Sequence, residues 1–186
     1  IDLGSAISLD TGYNQLSAGV VEAENIDDET KGITVSLTSG HIISEQGSSS
    51  SFHVVLNSKP TDDVVIPVVS NDLTEGLVSP PVLVFTEYNW NLPQTVIITG
   101  VDDNIADGNT IFTIALNPST SDDPNFNELS QSNIGVTNQD NDLAGFTIIN
   151  PTLTTSESGI AKVFYVVLNS EPTDTVYLPL LNQNPT

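Results

Sequence analysis

Two short acidic runs and two isolated acids hold most of the chemistry available to this chain. "VDDNIADG" at Val101–Gly108 sets Asp102, Asp103 and Asp107 within six positions, and "DND" at 140–142 adds Asp140 and Asp142 around Asn141. Glu45 stands in "EQG" and Asp72 in "NDLTEG". These are oxygen donors, and the sequence has no Cys and only two His, at 41 and 53. A hard divalent cation that takes about 6–8 oxygen ligands suits such a set, which points to Ca²⁺. Mg²⁺ fits less well because it keeps several waters and few carboxylates, and Zn²⁺ lacks its usual nitrogen and sulfur ligands. For any one of these acids the plain alternative is a solvated turn, since Asp favours turns for backbone reasons. Catalysis has no carrier. No nucleophile–base arrangement stands out, and Ser48–Ser51 is a polar loop run, so the chain is expected not to be an enzyme.

Whether these acids meet depends on the elements between them. Apolar residues alternate at period two in Ile33-Val35-Leu37, Phe52-Val54-Leu56, Val64-Ile66-Val68, Val82-Val84, Val96-Ile98, Phe112-Ile114-Leu116 and Ile134-Val136. That is the spacing of half-buried strands, with no helical periodicity between them. Turn-formers such as "NSKPTDD", "NWNLPQ" and "NPSTSDDPN" separate the runs. Seven strands in about a hundred residues predict an all-β, antiparallel, seven-stranded sandwich of immunoglobulin-like type. If successive strands alternate direction, Glu45, Asp72, Asp102, Asp103, Asp107, Asp140 and Asp142 all fall at one end. Asp62, Asp63, Asp122 and Asp123 fall at the other. Trp90, between the fourth and fifth strands, is expected to cap the core rather than to bind a sugar.

The pattern also repeats. "SFHVVLNSKPTDDVVIPVV" at Ser51–Val69 returns as "KVFYVVLNSEPTDTVYLPLL" at Lys162–Leu181, with Glu45 and Glu157, Leu56 and Leu168, and Pro67 and Pro179 each 112 apart. "YNQLS" at Tyr13–Ser17 pairs with "FNELS" at Phe126–Ser130 at an offset of 113, which Gly32 and Gly145 share. This is a tandem array. It predicts the tail of a preceding copy over 1–30, one complete copy over 31–142 and the head of a following copy over 143–186. Glu157 lies in a copy without its own later acidic loops. His53 corresponds to Tyr165, a substitution that suits a structural strand position. With no initiator Met, signal peptide or membrane span, the sequence is expected to be a piece of a longer protein.

Composition narrows the partners. Twenty-four acids against three Lys and no Arg give a formal net charge of −21. That disfavours nucleic-acid phosphates and anionic lipid, so no nucleic acid and no direct membrane insertion are expected, and metal cations are the natural counter-charge. The absence of both Cys and Met leaves little that oxidises easily and suits life outside a bacterial cell.

Glu45-Gln46-Gly47 before the second strand, Val101–Asp107 after the fifth and the closing Asp140-Asn141-Asp142 together resemble the Calx-β module. "FTEYNWNLPQTVIITGVDDNIADG" is also similar to repeats of secreted bacterial adhesins. The Calx-β resemblance implies a seven-stranded sandwich with Ca²⁺ clustered at the pole of its C-terminal end. It implies ligand roles for Glu45, Asp72, Asp102, Asp103, Asp107, Asp140 and Asp142, with a main-chain carbonyl near Ile105. Asn141 replaces an acid of the closing triplet, and Asn104, Gly108 and Thr110 stand where the form of this module found in sodium–calcium exchangers is more acidic, which implies fewer or weaker sites. The expected role is a structural, Ca²⁺-binding repeat segment of an extracellular or surface-anchored bacterial adhesin or matrix protein, with Ca²⁺ stiffening the array. The expected partners are neighbouring repeats, other cell-surface proteins or glycans. Alternatives are a Ca²⁺-sensing regulatory module and a self-assembling filament subunit completed by strand exchange.

Overall fold

A computed structural model describes residues 1–26, 28–37 and 40–181. The chain divides into two compact units, Ile1–Thr30 and Lys31–Thr186. Among the described residues there is no helix, and hence none long and apolar enough to cross a membrane.

In the second unit nine strands form two sheets around one core. One has the order β1 (Ile33–Leu37), β3 (Ser49–Leu56), β7 (Gln94–Gly100), β5 (Gly76–Ser79). The other runs β2 (Ile42–Ser44), β9 (Ile134–Gln139), β8 (Thr110–Leu116), β4 (Val64–Ser70), β6 (Val82–Phe85). Counted as the sequence predicts them, strands one, two and five lie in one layer against seven, six, three and four in the other, which is an immunoglobulin-like arrangement. Period-two alternation explains the core. Phe52, Val54 and Leu56 of β3, Val64, Ile66 and Val68 of β4, and Phe112, Ile114 and Leu116 of β8 point inward and are buried. Each fully buried side chain of this size contributes about 1.5–3 kcal/mol. Trp90 packs on the edge of this core while its carbonyl accepts the Leu56 N–H at 3.1 Å.

All seven expected strands are present, with two additions that period-two runs do not reveal. β5 and β6 flank the cis Ser79–Pro80 peptide, so the chain leaves one sheet and joins the other within a few residues. β2 is the second addition, and it corrects the purely antiparallel expectation because it pairs parallel to β9, Ser44 opposite Gln139. The first strand is already bound to β3, so the chain must change sheets to cover the free side of β9. It does so beyond Gly40, where the His41 carbonyl takes the Thr137 N–H at 2.9 Å. His41 is buried and its Nδ1 lies 3.1 Å from the Ser50 hydroxyl, and burial lowers its pKa.

At the opposite pole one of the four acids is already satisfied. Asp123 is not a free charge there: it is buried, and its carboxylate accepts the Thr61 N–H at 2.8 Å and the Asn125 N–H at 2.9 Å. The Thr61 bond is the main reason its pKa is lowered. Asp27, in the tail of the preceding copy predicted over 1–30, is outside the described residues.

Beyond the sandwich, β10 (Phe146–Ile149) and β11 (Tyr165–Leu168) form a separate two-stranded antiparallel sheet. Their register, Phe146 opposite Leu168, matches Ile33 opposite Leu56 in β1 and β3. The first unit is a hairpin with bridges Asp2–Val20 and Ser5–Ser17.

Candidate metal centre

The parallel pair β2–β9 positions the centre. Because both strands point the same way, Glu45 and Asp140 leave their ends side by side, with the Glu45 N–H on the Gln139 carbonyl at 3.1 Å. The chain then turns at once, Gly47 donating to the Ser44 carbonyl at 3.0 Å with φ +80°, a conformation that favours glycine. Gly100, at the end of β7, admits this turn: a Cβ there would run into the Ser44 carbonyl and the Asn138 amide. Directly after Gly100 come Val101 and Asp102.

Glu45, Asp102 and Asp142 each offer a carboxylate oxygen, and these three atoms lie within 4.8 Å of one another. Glu45 is buried, Asp142 half-buried and Asp102 exposed. Asn141 holds the group together, its N–H donating to Glu45 Oε2 at 3.0 Å and its side-chain amide to Asp102 Oδ1 at 2.9 Å. Asp140 ties the loop between β7 and β8 to the exit segment, accepting the Gly108 N–H at 2.7 Å and the Asp142 N–H at 2.6 Å. Asp103 folds that loop from within through the Ile105 N–H at 2.7 Å, and the Ile105 carbonyl accepts the Asp107 N–H at 3.0 Å.

Electrostatics mark the group as strained. The pKa of Glu45 is raised first by desolvation and then by Asp140, Asp103 and Asp107, against the lowering effect of the Asn141 N–H. That of Asp142 is raised by desolvation, then by Asp140, Asp102 and Asp103. Six of the seven expected carboxylates thus act on one another. Asp72 stands apart. Its Oδ1 is taken by the Thr74 N–H at 3.0 Å and the Thr74 hydroxyl at 2.6 Å, and these bonds, with the Glu75 backbone N–H, lower its pKa against desolvation without any charge effect of a neighbouring carboxylate. Its side chain shapes a turn.

Glu75 was not singled out by the sequence. It is buried beside the centre, with Oε2 accepting from Asn138 Nδ2 at 3.0 Å and its carbonyl accepting the Val101 N–H at 3.1 Å. Asn138 Nδ2 also lies 3.2 Å from the Val101 carbonyl, while its buried Oδ1 has no hydrogen-bond partner among the described residues. A Glu one residue before the Gly that starts a strand, in "TEG", was the available signal, but the run resembles an ordinary turn.

The same loop touches the following segment. Glu171 N–H donates to the Asn104 carbonyl at 2.6 Å, and Ile105 and Glu171 form a parallel bridge.

No family model matches this sequence, and no curated protein does. Among solved structures, the chain is similar to the YadV chaperone, with 14% identity over 63% of this chain and 60% of that one and a TM-score of 0.41. It is also similar to WR4, an MSP family member of C. elegans, with 12% identity over 57% of this chain and 95% of that one at a TM-score of 0.36. SSP-19, an MSP-domain protein of Caenorhabditis elegans, matches at 12% identity over 54% and 92% with a TM-score of 0.33. The strand order of β1–β9 by itself makes this part of the chain an immunoglobulin-like β-sandwich.

Proposed function

We propose that this chain is a segment of tandem Calx-β-like sandwiches that binds Ca²⁺ at its acidic pole and uses the ion to stiffen an extracellular array, as in a bacterial surface adhesin or matrix protein. The observation that carries the reading is the convergence of Glu45, Asp102 and Asp142 within 4.8 Å. Three carboxylate oxygens, with no nitrogen or sulfur donor among them, fit a hard cation, which would relieve the repulsion acting on Glu45 and Asp142. Asp103, Asp107 and Asp140 add negative charge around the ion, and the Ile105 carbonyl lies on the same loop. Stiffening follows from where the loop goes: the segment carrying Asp102, Asp103 and Asp107 also holds Glu171 through the Asn104 carbonyl. An ion that orders the loop orders this joint as well.

Calorimetry tests the reading. Titrating Ca²⁺ into the 186-residue chain should give saturable heat with affinity in the weak extracellular range, about 10⁻⁴ to 10⁻³ M. The heat should vanish in the Asp102→Asn/Asp142→Asn variant, with Mg²⁺ binding more weakly than Ca²⁺. No saturable heat at millimolar Ca²⁺ sinks the proposal.

A further inference from the structure

The pairing of β2 with β9 begins at His41, whose carbonyl accepts the Thr137 N–H at 2.9 Å, and ends where the Glu45 N–H meets the Gln139 carbonyl at 3.1 Å. Between them lie only the three residues of β2, Ile42–Ser44, so whatever unseats His41 leaves little to hold Glu45. The His41 ring is 8% exposed. Its Nδ1 lies 3.1 Å from the Ser50 hydroxyl, and its buried Nε2 has no hydrogen-bond partner among the described residues. A neutral imidazole has one N–H and one lone pair, and Ser50 satisfies one of the two. An imidazolium has two N–H groups, and here the second would be buried with a charge and no acceptor.

The surroundings offer that charge no counter-ion. A cleft of about 360 Å³ beside the ring is lined by Val35 and Leu37 of β1 and by the 131–135 stretch that leads into β9, none of it titratable. β3 contributes Ser50 and β9 contributes Thr137, both neutral. Desolvation is the cause that lowers the pKa of His41, without a charge effect from a neighbour. Nor does the position require a histidine. In the matching stretch 112 residues later, counted back from Glu157, Leu153 stands at this place. A leucine fills such a site with no polar atom to satisfy, so what the imidazole adds is its titration.

We propose that His41 is an acid-sensitive latch of β2: protonation of its ring frees β2 from β9 and thereby removes Glu45 from the acidic pole. The direction follows from linkage. The opened segment takes up the proton near the ordinary value of 6.5 and the paired one only at lower pH. Pairing is therefore at full strength above pH 6.5 and weakens as pH falls toward the lowered value. Glu45 and Asp142, with raised pKa values, act in the opposite sense and favour the folded pole in acid. Asp72, Glu87 and Asp123, with lowered ones, lose their contribution only below ordinary carboxylate values of 3.8 and 4.5. The latch needs no ion, so it is tested in chelator and stands apart from the Ca²⁺ reading. Where Glu45 holds an ion, the same opening releases it in acid.

Nitrogen-15 NMR of the 186-residue chain in chelator, from pH 7.5 down to pH 5, tests this. The His41 ring should titrate below 6.5. Protection of the Thr137 and Glu45 amides, taken as exchange relative to an unstructured chain at the same pH, should fall together by up to about tenfold per pH unit below 6.5. His41→Leu should abolish the fall and leave both amides level or better protected in acid. His53→Tyr, which installs the residue found 112 positions later at Tyr165, should keep it. A His41 ring that titrates at or above 6.5 in the unmodified chain overturns the proposal, as does protection that stays level there or falls at Thr137 alone. An equal fall in His41→Leu overturns it too.

Discussion

At the scale of single residues, the acidic pole is a set of carboxylates that folding forces together. Glu45 and Asp142 have pKa values raised above ordinary values of 4.5 and 3.8, each first by desolvation and then by neighbouring acids. For a raised carboxylate the folded state holds the proton more tightly than the unfolded chain. The associated stability is complete below the unfolded pKa and is lost as pH rises through the folded one. Asp72 and Asp123 act in the opposite sense: their pKa values are lowered, so their stability is present above the unfolded pKa and is lost as pH falls. A cation at the pole competes with protons on the carboxylates that hold it, Glu45 and Asp142 among them. The stabilisation by saturating Ca²⁺ should therefore be larger at pH 7 than near pH 4, where protons compete more strongly for those two groups. Thermal unfolding with and without Ca²⁺ at the two pH values checks this, and an equal Ca²⁺ shift at both would show that neither carboxylate meets the ion.

At the scale of elements, the loop between β7 and β8 does two jobs with one backbone. Asp102 faces Glu45 and Asp142, while two residues later the Asn104 carbonyl accepts the Glu171 N–H. Asp103 couples the two ends of this short stretch by capping the Ile105 N–H. A bound ion that restrains Asp102 should reduce opening of the Asn104–Glu171 bond, and local opening is what amide exchange measures. Hydrogen exchange at the Glu171 amide should slow on adding Ca²⁺ and return to its chelator rate in Asp102→Asn. Exchange unchanged by Ca²⁺ would separate the loop from the joint.

For the whole molecule, stiffening is a statement about the spread of distances between repeats. Like charges at neighbouring poles repel over a range of about 8 Å at physiological salt, so cation-free repeats should sample many orientations. Small-angle scattering from an array of two or more complete repeats should give a narrow, extended distance distribution in Ca²⁺ and a broad one in chelator. The β-type circular dichroism should stay the same, because the core built on Phe52, Ile66, Ile98 and Ile114 contains no ligand. If Ca²⁺ left the distances unchanged but altered binding to another domain of a longer protein, the sensing alternative would replace the structural one.

Period-two alternation by itself determined the seven strands and the inward residues, because a strand that buries one face must alternate. The clustering of most acids followed from strand direction in the same way. What the sequence could not show is which sheet each short stretch joins. β2 has only three residues, and its parallel pairing with β9 depends on the free side of β9, a partner about ninety residues away. That pairing, not the motif "EQG", sets Glu45 beside Asp140. The fate of single polar groups was also decided in three dimensions. Asp72 and Asp123 look alike in the sequence as loop acids. One is satisfied by its own turn and the other by a distant backbone N–H, while Glu75, overlooked in a turn-like run, is buried against Asn138. Local patterns fix which face of a strand is apolar. Only tertiary packing fixes which donors a carboxylate will meet, because those donors arrive from remote parts of the chain.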